Sequence, residues 1–520
     1  MYGLTEFLKS NASSIPRMIA TKFGERNKSW SEFEDRVSKL AAALRKLGIR
    51  DGERAAILAL NSDRYLEYYY AVWWAGGAVV PLNIRWSVGE NAYSLNDSGT
   101  KLLFIDEMFA PMIDGIKSEV DGLETIIYMN DDDAPDDVLC YESLISSQQR
   151  CPDAERSGKD LAGLYYTGGT TGFPKGVMLS HEALWYNKMA ISTAFSFREN
   201  DTYLHAAPMF HLADGSFSGA ATANGVSHAF IPAFEPMAAT NALAEYKVTH
   251  TVLVPTMWDM ILNHPEFDSN SFQTVRSALY GASPMPEGLL CQIMEQLPDV
   301  ALVQGYGQTE MAPAVSVLTA DYHNKKGLAD GLLSSAGKAT TGVEIRICDE
   351  NGNDLPNGEV GEIVARSPGS MTGYWGMPDA TKATLQDGWV KTGDGGYRNE
   401  QGFIFIVDRI KDMIVTGGEN VFSSEVENVI STHSDVSAVA VIGIPSEQWG
   451  EEVHAIIIPS DGKEPSLNDI AAHLEGRIAN YKRPRSLSLR HEPFPLSGAG
   501  KVLKRDLRAP FWQGHDRNVS

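Results

Sequence analysis

The sequence is poor in cysteine and in positive charge. Its 520 residues include four cysteines, and acidic side chains outnumber basic ones enough to give a formal net charge of −23. The cysteines show neither CxxC nor Cys/His spacing, which excludes a disulfide framework and a structural zinc site and predicts a reducing, cytoplasmic compartment. The negative charge argues against nucleic acid as a partner, so a polyanionic ligand would need local cations, helix ends or metal. The cysteines are Cys140, Cys151, Cys291 and Cys348.

Signals for secretion and for membrane insertion are also missing. The N-terminus has no basic segment followed by an apolar one, and no apolar run reaches the roughly 18 residues of a membrane span. We therefore expect no integral membrane segment. The GxSxG and HExxH signatures of common hydrolases are absent. The glycine-rich segment Tyr166–Gly176 is not a Walker loop, because Lys175 is followed by Gly176 rather than by serine or threonine.

The hydrophobic content of 43% is enough for two or more domains with a substantial core. Up to about residue 330, short β-rich runs alternate with helix-like stretches, which predicts doubly wound α/β subdomains. Strands are expected at Ala55–Leu60, Val79–Pro81, Leu102–Ile105, Thr125–Tyr128, Thr251–Val254 and Ala301–Val303.

The pattern changes at about Val343. The runs Val343–Cys348 and Glu362–Ala365 predict antiparallel strands and a small β-barrel layer. A charged break at Asp408–Asp412 then predicts a boundary between a large N-terminal domain, residues 1–408, and a small mobile α+β C-terminal domain, residues 409–520.

One polar loop, Tyr166–Gly176, lies between two apolar segments and contains four glycines, three threonines and a lysine. Glycines let backbone N–H groups approach an anion, threonine hydroxyls add donors, and Lys175 adds a positive charge. The loop therefore predicts a phosphate site, with a surface turn rich in glycine and threonine as the alternative.

Three further motifs carry chemistry. Gly305–Glu310 follows an apolar run and is expected just past the carboxyl end of a strand, where ligands of α/β folds collect. There Tyr306 can stack on a base, and Glu310 is an oxygen ligand suited to Mg²⁺. Asp394, among glycines, can accept hydrogen bonds from ribose hydroxyls, with a tight turn as the alternative. Lys501 follows a glycine-rich loop that can close over reacting phosphates.

With these motifs in this order, the chain resembles the adenylate-forming superfamily of acyl-CoA synthetases, luciferases and peptide-synthetase adenylation domains over essentially its whole length. The resemblance implies ATP, Mg²⁺ and coenzyme A as cofactors and a carboxylic acid as substrate. Gly168 stands where many relatives have serine, which removes one hydroxyl donor. The motifs are Thr167–Gly176, Tyr306–Glu310, Thr392–Asp394, Arg409–Asp412 with Gly417–Asn420, and Gly500–Lys501.

The resemblance also implies roles for individual residues. The phosphates of ATP would contact Thr167, Gly168, Gly169, Thr170, Thr171 and Lys175. The rest of the nucleotide would contact Gly281, Ala282, Ser283, Gly305, Tyr306, Gly307, Thr309, Asp394, Arg409 and Lys501. Glu310 would bind Mg²⁺, and the catalytic residues would be Lys501, Thr309, Glu310 and Lys175. The acyl pocket would include His211, Gly215, Gly281 and Gly305. CoA would contact Gly418, Trp449, Lys482 and Arg483, and Lys411 would be the hinge.

The resemblance favours a free-standing acid:CoA ligase that forms an acyl-AMP intermediate. A medium- to long-chain fatty acid or another hydrophobic acid is the expected substrate, and an aryl carboxylate of the benzoate or cinnamate type is the alternative. A luciferase-like oxygenase and a non-catalytic homologue are weaker alternatives. The sequence leaves open the oligomeric state, including a homodimer, and whether a carrier protein can replace CoA.

Overall fold

The structure is a computed structural model that describes residues 3–131, 134–168, 174–496 and 502–513. The chain divides by its contacts into two units, Met1–Glu344 with Ala365–Val390, and Ile345–Val364 with Lys391–Ser520. The contacts thus divide the chain after Val390, whereas the boundary of the mobile domain, expected after residue 408, stays a prediction.

Up to β16 the described helices and strands follow in this order: α1 (Glu6–Ser14), β1 (Ile19–Phe23), β2 (Arg26–Ser29), α2 (Trp30–Lys46), β3 (Arg54–Leu58), α3 (Asp63–Ala75), β4 (Ala78–Pro81), α4 (Val88–Ser98), β5 (Leu102–Ile105), α5 (Ile113–Glu119), β6 (Thr125–Tyr128), β7 (Leu139–Cys140), α6 (Tyr141–Ser146), β8 (Leu161–Thr167), β9 (Lys175–Ser180), α7 (His181–Ala194), β10 (Thr202–His205), α8 (Leu212–Ala223), β11 (Ser227–Phe230), α9 (Pro236–Glu245), β12 (His250–Val252), α10 (Pro255–Leu262), β13 (Ser277–Gly281), α11 (Glu287–Gln296), β14 (Ala301–Gly307), β15 (Ala314–Leu318), α12 (Lys325–Ala329) and β16 (Lys338–Ala339).

The chain continues with β17 (Glu344–Cys348), β18 (Gly361–Arg366), β19 (Gly373–Tyr374), α13 (Pro378–Thr384), β20 (Leu385–Gln386), β21 (Trp389–Arg398), β22 (Ile404–Arg409), β23 (Ile414–Thr416), β24 (Glu419–Val421), α14 (Ser423–Ile430), β25 (Val436–Ser446), β26 (Gly450–Pro459), α15 (Leu467–Leu474), β27 (Ser486–Leu489) and α16 (Lys504–Arg508). Short 3-10 turns include Thr309–Met311, Ile410–Asp412 and Asn480–Lys482.

Two sheets organise the first unit, in the orders β16-β15-β14-β13-β12-β10-β11-β1-β2 and β19-β9-β8-β4-β3-β5-β6-β7. Their central neighbours run parallel, as in β3 with β4 and β13 with β14. Strands such as β4 and β5 are buried at every residue, as expected for parallel sheets covered on both faces. These features confirm the doubly wound α/β class.

The strands expected at Leu102–Ile105 and Thr125–Tyr128 are β5 and β6 with those bounds. The expectation for β14 was wrong at its end. This strand continues to Gly307 because the antiparallel strand β15 keeps pairing with it, with Tyr306 opposite Ser316. Gly305 and Tyr306 therefore lie within the strand rather than just past it.

The predicted antiparallel region forms a five-stranded sheet in the order β17-β18-β21-β20, with β22 beside β21. The glycine-rich segment around Asp394 is part of the ten-residue strand β21 rather than a tight turn. Its partner is β22, which places Asp394 opposite Arg409.

The second unit also contains a sheet in the order β24-β23-β26-β25, with β27 beside β26. Helices α14 and α15 contribute Val426, Ile430 and Ile470 to the core over this sheet, all fully buried. This α+β arrangement agrees with the expected class of the C-terminal region. Nowhere in the described ranges is a helix both long and apolar enough to cross a bilayer.

Candidate active site

The predicted phosphate loop connects two antiparallel strands. Thr167, the last residue of β8, pairs with Lys175, the first residue of β9, so the loop closes a hairpin. Such a hairpin holds the lysine and the start of the loop in fixed register. Gly169, Thr170 and Thr171 lie outside the described residues, as does Lys501.

Gly168 is exposed, and a Cβ atom added there would meet no atom of the described residues within 4 Å. We therefore expect Gly168→Ser to leave the melting temperature within about 1 °C, because an exposed residue without special backbone geometry tolerates substitution. The added hydroxyl can donate to a phosphate, so the KM for ATP should stay equal or fall, by up to about fivefold. Calorimetry and ATP titrations of AMP formation check this. A KM that rises tenfold would show that the loop needs glycine here.

Lys175, Tyr374 and Glu310 form a connected group in the first unit. The Lys175 ammonium lies 5.1 Å from the centroid of the Tyr374 ring, and the Tyr374 hydroxyl donates a 2.7 Å hydrogen bond to Glu310 Oε1. Tyr374 is in β19, which pairs with β9 beyond the phosphate hairpin. The structure thus brings together the predicted phosphate cation and the predicted magnesium ligand through an aromatic residue that the sequence analysis did not single out.

A rigid turn positions Glu310. Its carbonyl accepts a 2.8 Å hydrogen bond from the Met371 amide, and the Gln308 amide donates to the Pro313 carbonyl at 3.0 Å. A Cβ at Gly307 would lie 1.7 Å from that carbonyl oxygen, so only glycine fits. Thr309, in the same turn, is partly buried.

The described residues contain no cluster of three side chains suited to a metal ion. A single carboxylate such as Glu310 nevertheless fits Mg²⁺, which often takes one or two protein carboxylates and completes its shell with water and substrate phosphates.

The predicted adenine segments are adjacent. Gly281, the last residue of β13, lies opposite Gly305 of the parallel strand β14. A Cβ at Gly281 would lie 2.2 Å from the Gly305 carbonyl oxygen, so this edge has no room for a side chain there. Ala282, which follows Gly281, has a left-handed φ of 65°. Ser283, the next residue, and Tyr306, which follows Gly305, are both partly buried. This edge is where ligands of α/β sheets bind.

Of the four predicted acyl-pocket residues, His211 and Gly215 lie next to or on α8, whereas Gly281 and Gly305 lie in β13 and β14. His211 caps this helix, since its Nδ1 accepts a hydrogen bond from the Ala213 amide at 3.2 Å. Gly215 and Gly219 line a cavity of about 10 Å³, roughly the volume that one water occupies. The other lining residues are Leu66, Tyr69, Tyr70, Trp73, Tyr165, Lys188, Leu212 and Ser218.

In the second unit, Asp394 and Arg409 form an ion pair. Arg409 Nε lies 2.8 Å from Asp394 Oδ1, and Asp394 is 6% exposed. The Asp394 amide donates to Thr392 Oγ1 at 3.1 Å, and that hydroxyl donates to the Ile363 carbonyl at 2.6 Å. Asp394 and Arg409, two of the predicted nucleotide ligands, are therefore oriented together.

The predicted hinge residue lies in the turn Ile410–Asp412. Burial, reinforced by the nearby Arg409 charge, lowers the pKa of Lys411 to about 8. The neighbouring Asp412 accepts a 3.2 Å contact from Arg508 of α16. Because α16 begins just after Lys501, the segment that follows this lysine is tied to the hinge turn.

A second ion pair holds α16. Lys504 Nζ lies 2.7 Å from Glu427 and donates to Ser423 Oγ at 2.6 Å, which connects α16 to α14. Burial raises the pKa of Glu427, opposed by the Lys504 charge. The sequence analysis missed Lys504 and Arg508, although both belong to the motif-rich basic end of the chain.

The predicted CoA residues are also close to one another. The Gly417 amide donates to the Trp449 carbonyl at 2.8 Å, next to the exposed Gly418, and β24 packs against the turn Asn480–Lys482. Lys482 Nζ contacts both Glu425 oxygens at 2.7 Å, so a CoA phosphate would have to displace this pairing.

Two arginines follow Lys482. Arg483 Nε is buried and has no hydrogen-bond partner among the residues that the structure describes. Arg485, which the sequence analysis did not select, lies over the Trp449 ring at 4.5 Å. The neighbouring basic residues of the sequence are the signal that would have found it.

The chain is similar to known proteins over most of its length. The sequence profile of the AMP-binding enzymes matches residues 8–375, and that of the AMP-binding enzyme C-terminal domain matches residues 425–501. A feruloyl-CoA synthase of Amycolatopsis is 35% identical over 98% of this chain and 99% of its own length. A long-chain-fatty-acid–CoA ligase of Mycobacterium tuberculosis is 32% identical over 98% of this chain and 99% of its own.

Among solved structures, the o-succinylbenzoate CoA synthetase of Bacillus subtilis, in complex with its acyl-adenylate intermediate, matches with a TM-score of 0.84. It is 27% identical to this chain, and the match covers 96% of this chain and 97% of that one.

Proposed function

Because the chain belongs to the AMP-binding enzyme family and is an acid:CoA ligase, we propose that it activates a hydrophobic carboxylic acid as an acyl adenylate. The observation that carries this proposal is the group of Lys175, Tyr374 and Glu310 beside the phosphate hairpin. In this group Tyr374 contacts both Lys175, a cation that can bind phosphates, and Glu310, a carboxylate that can bind Mg²⁺.

In the proposed first half-reaction, a carboxylate oxygen of the acid attacks the α-phosphorus of ATP. The bond from this phosphorus to the bridging oxygen of pyrophosphate breaks, and the electron pair leaves with pyrophosphate. We assign the departing phosphates to Lys175 and the predicted phosphate loop, and the nucleoside side to Asp394 and Arg409. Magnesium held at Glu310 would neutralise phosphate charge.

In the proposed second half-reaction, the CoA sulfur attacks the carbonyl carbon of the adenylate. The bond to the AMP oxygen breaks, the thiol proton is released, and the thioester forms. We assign CoA contacts to Gly418, Trp449 and Arg483, with Lys482 taking part once Glu425 is displaced. The proposed hinge at Lys411 would let the C-terminal domain serve both steps.

Within hydrophobic acids, the walls of the cavity on α8 favour the aryl class over long fatty acids, because four of its ten lining residues are aromatic. Its volume of about 10 Å³ is too small for either kind of acid, so binding of an acyl group there requires side-chain movement. The likeness to a feruloyl-CoA synthase supports the same class. Medium- to long-chain fatty acids are the second candidate, supported by the likeness to a fatty-acid ligase.

A panel of acids tests the proposal. Purified enzyme receives ATP, Mg²⁺, CoA and one straight-chain, branched or aryl acid, and AMP is measured. We expect CoA-dependent AMP that is highest with cinnamate-type acids, and S-methyl-CoA, which has no thiol, should not replace CoA. A maximum with long straight chains would select the second candidate. Failure to form AMP with every acid of the panel would contradict the proposed function. Oxygen uptake with the adenylate would indicate a luciferase-like reaction.

A further inference from the structure

Lys188 is a buried lysine that the proposed mechanism does not use. It lies on α7, is 3% exposed, and lines the cavity formed with residues of α3 and α8. Burying an ammonium group is costly unless a partner compensates its charge. A lysine at such a position therefore calls for an explanation.

The described residues supply no hydrogen-bond or ion-pair partner for the Lys188 ammonium. The ammonium lies over the face of the Trp73 ring, 5.7 Å from the centroid. Asp214 is buried on α8, but its two oxygens contact the Tyr203 hydroxyl at 2.8 Å and His205 Nδ1 at 2.7 Å. The burial of Lys188 lowers its pKa to about 7.

The glycines of α8 explain how Lys188 reaches the cavity. A Cβ at Gly219 would lie 2.0 Å from Lys188 Cε, so the lysine side chain passes over this glycine where any other residue would collide. Gly215 leaves open space beside it, with no atom closer than 3.9 Å to an added Cβ.

The other walls offer mostly ring surfaces. The Tyr69 hydroxyl donates to the Met209 carbonyl and the Trp73 indole donates to the Ala162 carbonyl, both at 2.9 Å. These polar tips are thus engaged with the backbone. A cavity of about 10 Å³ admits an aromatic ring only if side chains move, and ring surfaces would then face the ligand. Two polar groups are available to an oxygen on that ring, the Lys188 ammonium and the Tyr70 hydroxyl, which has no hydrogen-bond partner among the described residues.

From this geometry we infer that Lys188 is a specificity residue that recognises an oxygen substituent at the far end of an aryl acid. This inference rests on the proposed function, since it takes the cavity as the acyl pocket. The occupant would carry a hydroxyl, alkoxy or second carboxylate group opposite the reacting carboxylate. The oxygen would accept a hydrogen bond from the ammonium and compensate its burial.

Two acids of nearly equal shape test the inference, 4-hydroxycinnamic acid and 4-methylcinnamic acid. The measured quantity is kcat/KM for CoA-dependent AMP formation. We expect the wild-type enzyme to prefer the hydroxyl compound by about tenfold or more, because a site built to hydrogen-bond a substrate rejects analogues that lack the polar group. Lys188→Met should abolish or reverse this preference and keep kcat/KM for the methyl compound within about threefold.

Two further variants separate specificity from folding. Gly219→Ala retains the charge but displaces the Lys188 side chain, so it should also lose the preference. Lys22→Met is the matched control, because Lys22 is partly buried in the same unit and donates to Thr202 Oγ1 at 3.1 Å outside the cavity. It should keep the wild-type preference. Lys188→Met should also melt at a higher temperature than wild type, because a desolvated amine is removed.

The possible results differ for the two claims. Equal kcat/KM for both acids in the wild type, or an unchanged preference in Lys188→Met, would overturn the role of Lys188 and leave the ligase intact. Activity confined to fatty acids would also overturn the role of Lys188 and leave the ligase activity intact. Absence of AMP with every acid would overturn both this inference and the proposed function.

Discussion

Lys501→Ala should slow acyl-adenylate formation by a factor of about 10² to 10³, because removing a donor aimed at developing phosphate charge typically costs this much. The same variant should convert a supplied acyl adenylate and CoA to thioester within about threefold of the wild-type rate. Pyrophosphate release measures the first half-reaction, and thioester formation from synthetic adenylate measures the second.

The control for this variant is Lys463→Ala, which changes an exposed lysine of the same unit that lies 3.6 Å from Asp435. It should leave both rates unchanged. Two ion pairs hold the helix that follows Lys501, Lys504 with Glu427 and Arg508 with Asp412, so the loss of Lys501 should leave the unit folded. Equal losses in both half-reactions would contradict a role confined to adenylation.

Glu310→Gln should lower the rate of adenylation by about 100-fold or more and raise the Mg²⁺ concentration needed for half-maximal rate. The amide oxygen can still accept the hydrogen bond from Tyr374, so the variant removes the charge and largely keeps the contact. The loss of a carboxylate ligand weakens Mg²⁺ binding beside the phosphates. Pyrophosphate release at a series of Mg²⁺ concentrations measures both effects.

Tyr374→Phe is the matched partner of this variant. It removes the hydroxyl that donates to Glu310 but keeps the ring against Lys175, so we expect a loss of only about tenfold and little change in Mg²⁺ dependence. Glu287→Gln, at an exposed position of the same unit, should behave as wild type. An equal loss in Glu310→Gln and Tyr374→Phe, with no change in Mg²⁺ dependence, would show that Glu310 serves the turn rather than the metal.

The sequence pattern predicted correctly those strands that consist of an uninterrupted apolar run. The apolar run Leu102–Ile105 is a fully buried strand with the expected bounds. The end of β14 was not predictable in the same way, since Gly305 and Gly307 have weak strand propensity and this segment is held by pairing with β15. Asp394 likewise lies in a strand because β22 pairs alongside it.

The site followed a similar division. The motifs predicted Lys175 and Glu310 as separate residues, but the sequence gives no sign that Tyr374, 64 residues after Glu310, connects them. Lys188 was missed because a lysine on a helix usually faces solvent. Its burial depends on the packing of α7 against α8 and on Gly219, which no local pattern reveals.

The proposed acyl adenylate is tested most directly by the fate of the oxygen atoms of the carboxylate. An acid that the enzyme accepts as substrate is labelled with ¹⁸O at both oxygens of its carboxylate. The enzyme receives this acid together with ATP, Mg²⁺ and CoA, and the products are analysed by mass spectrometry. Attack of the carboxylate on the α-phosphorus predicts one ¹⁸O atom in each AMP and none in pyrophosphate. Label in inorganic phosphate with formation of ADP, or AMP without label, would contradict the adenylate route.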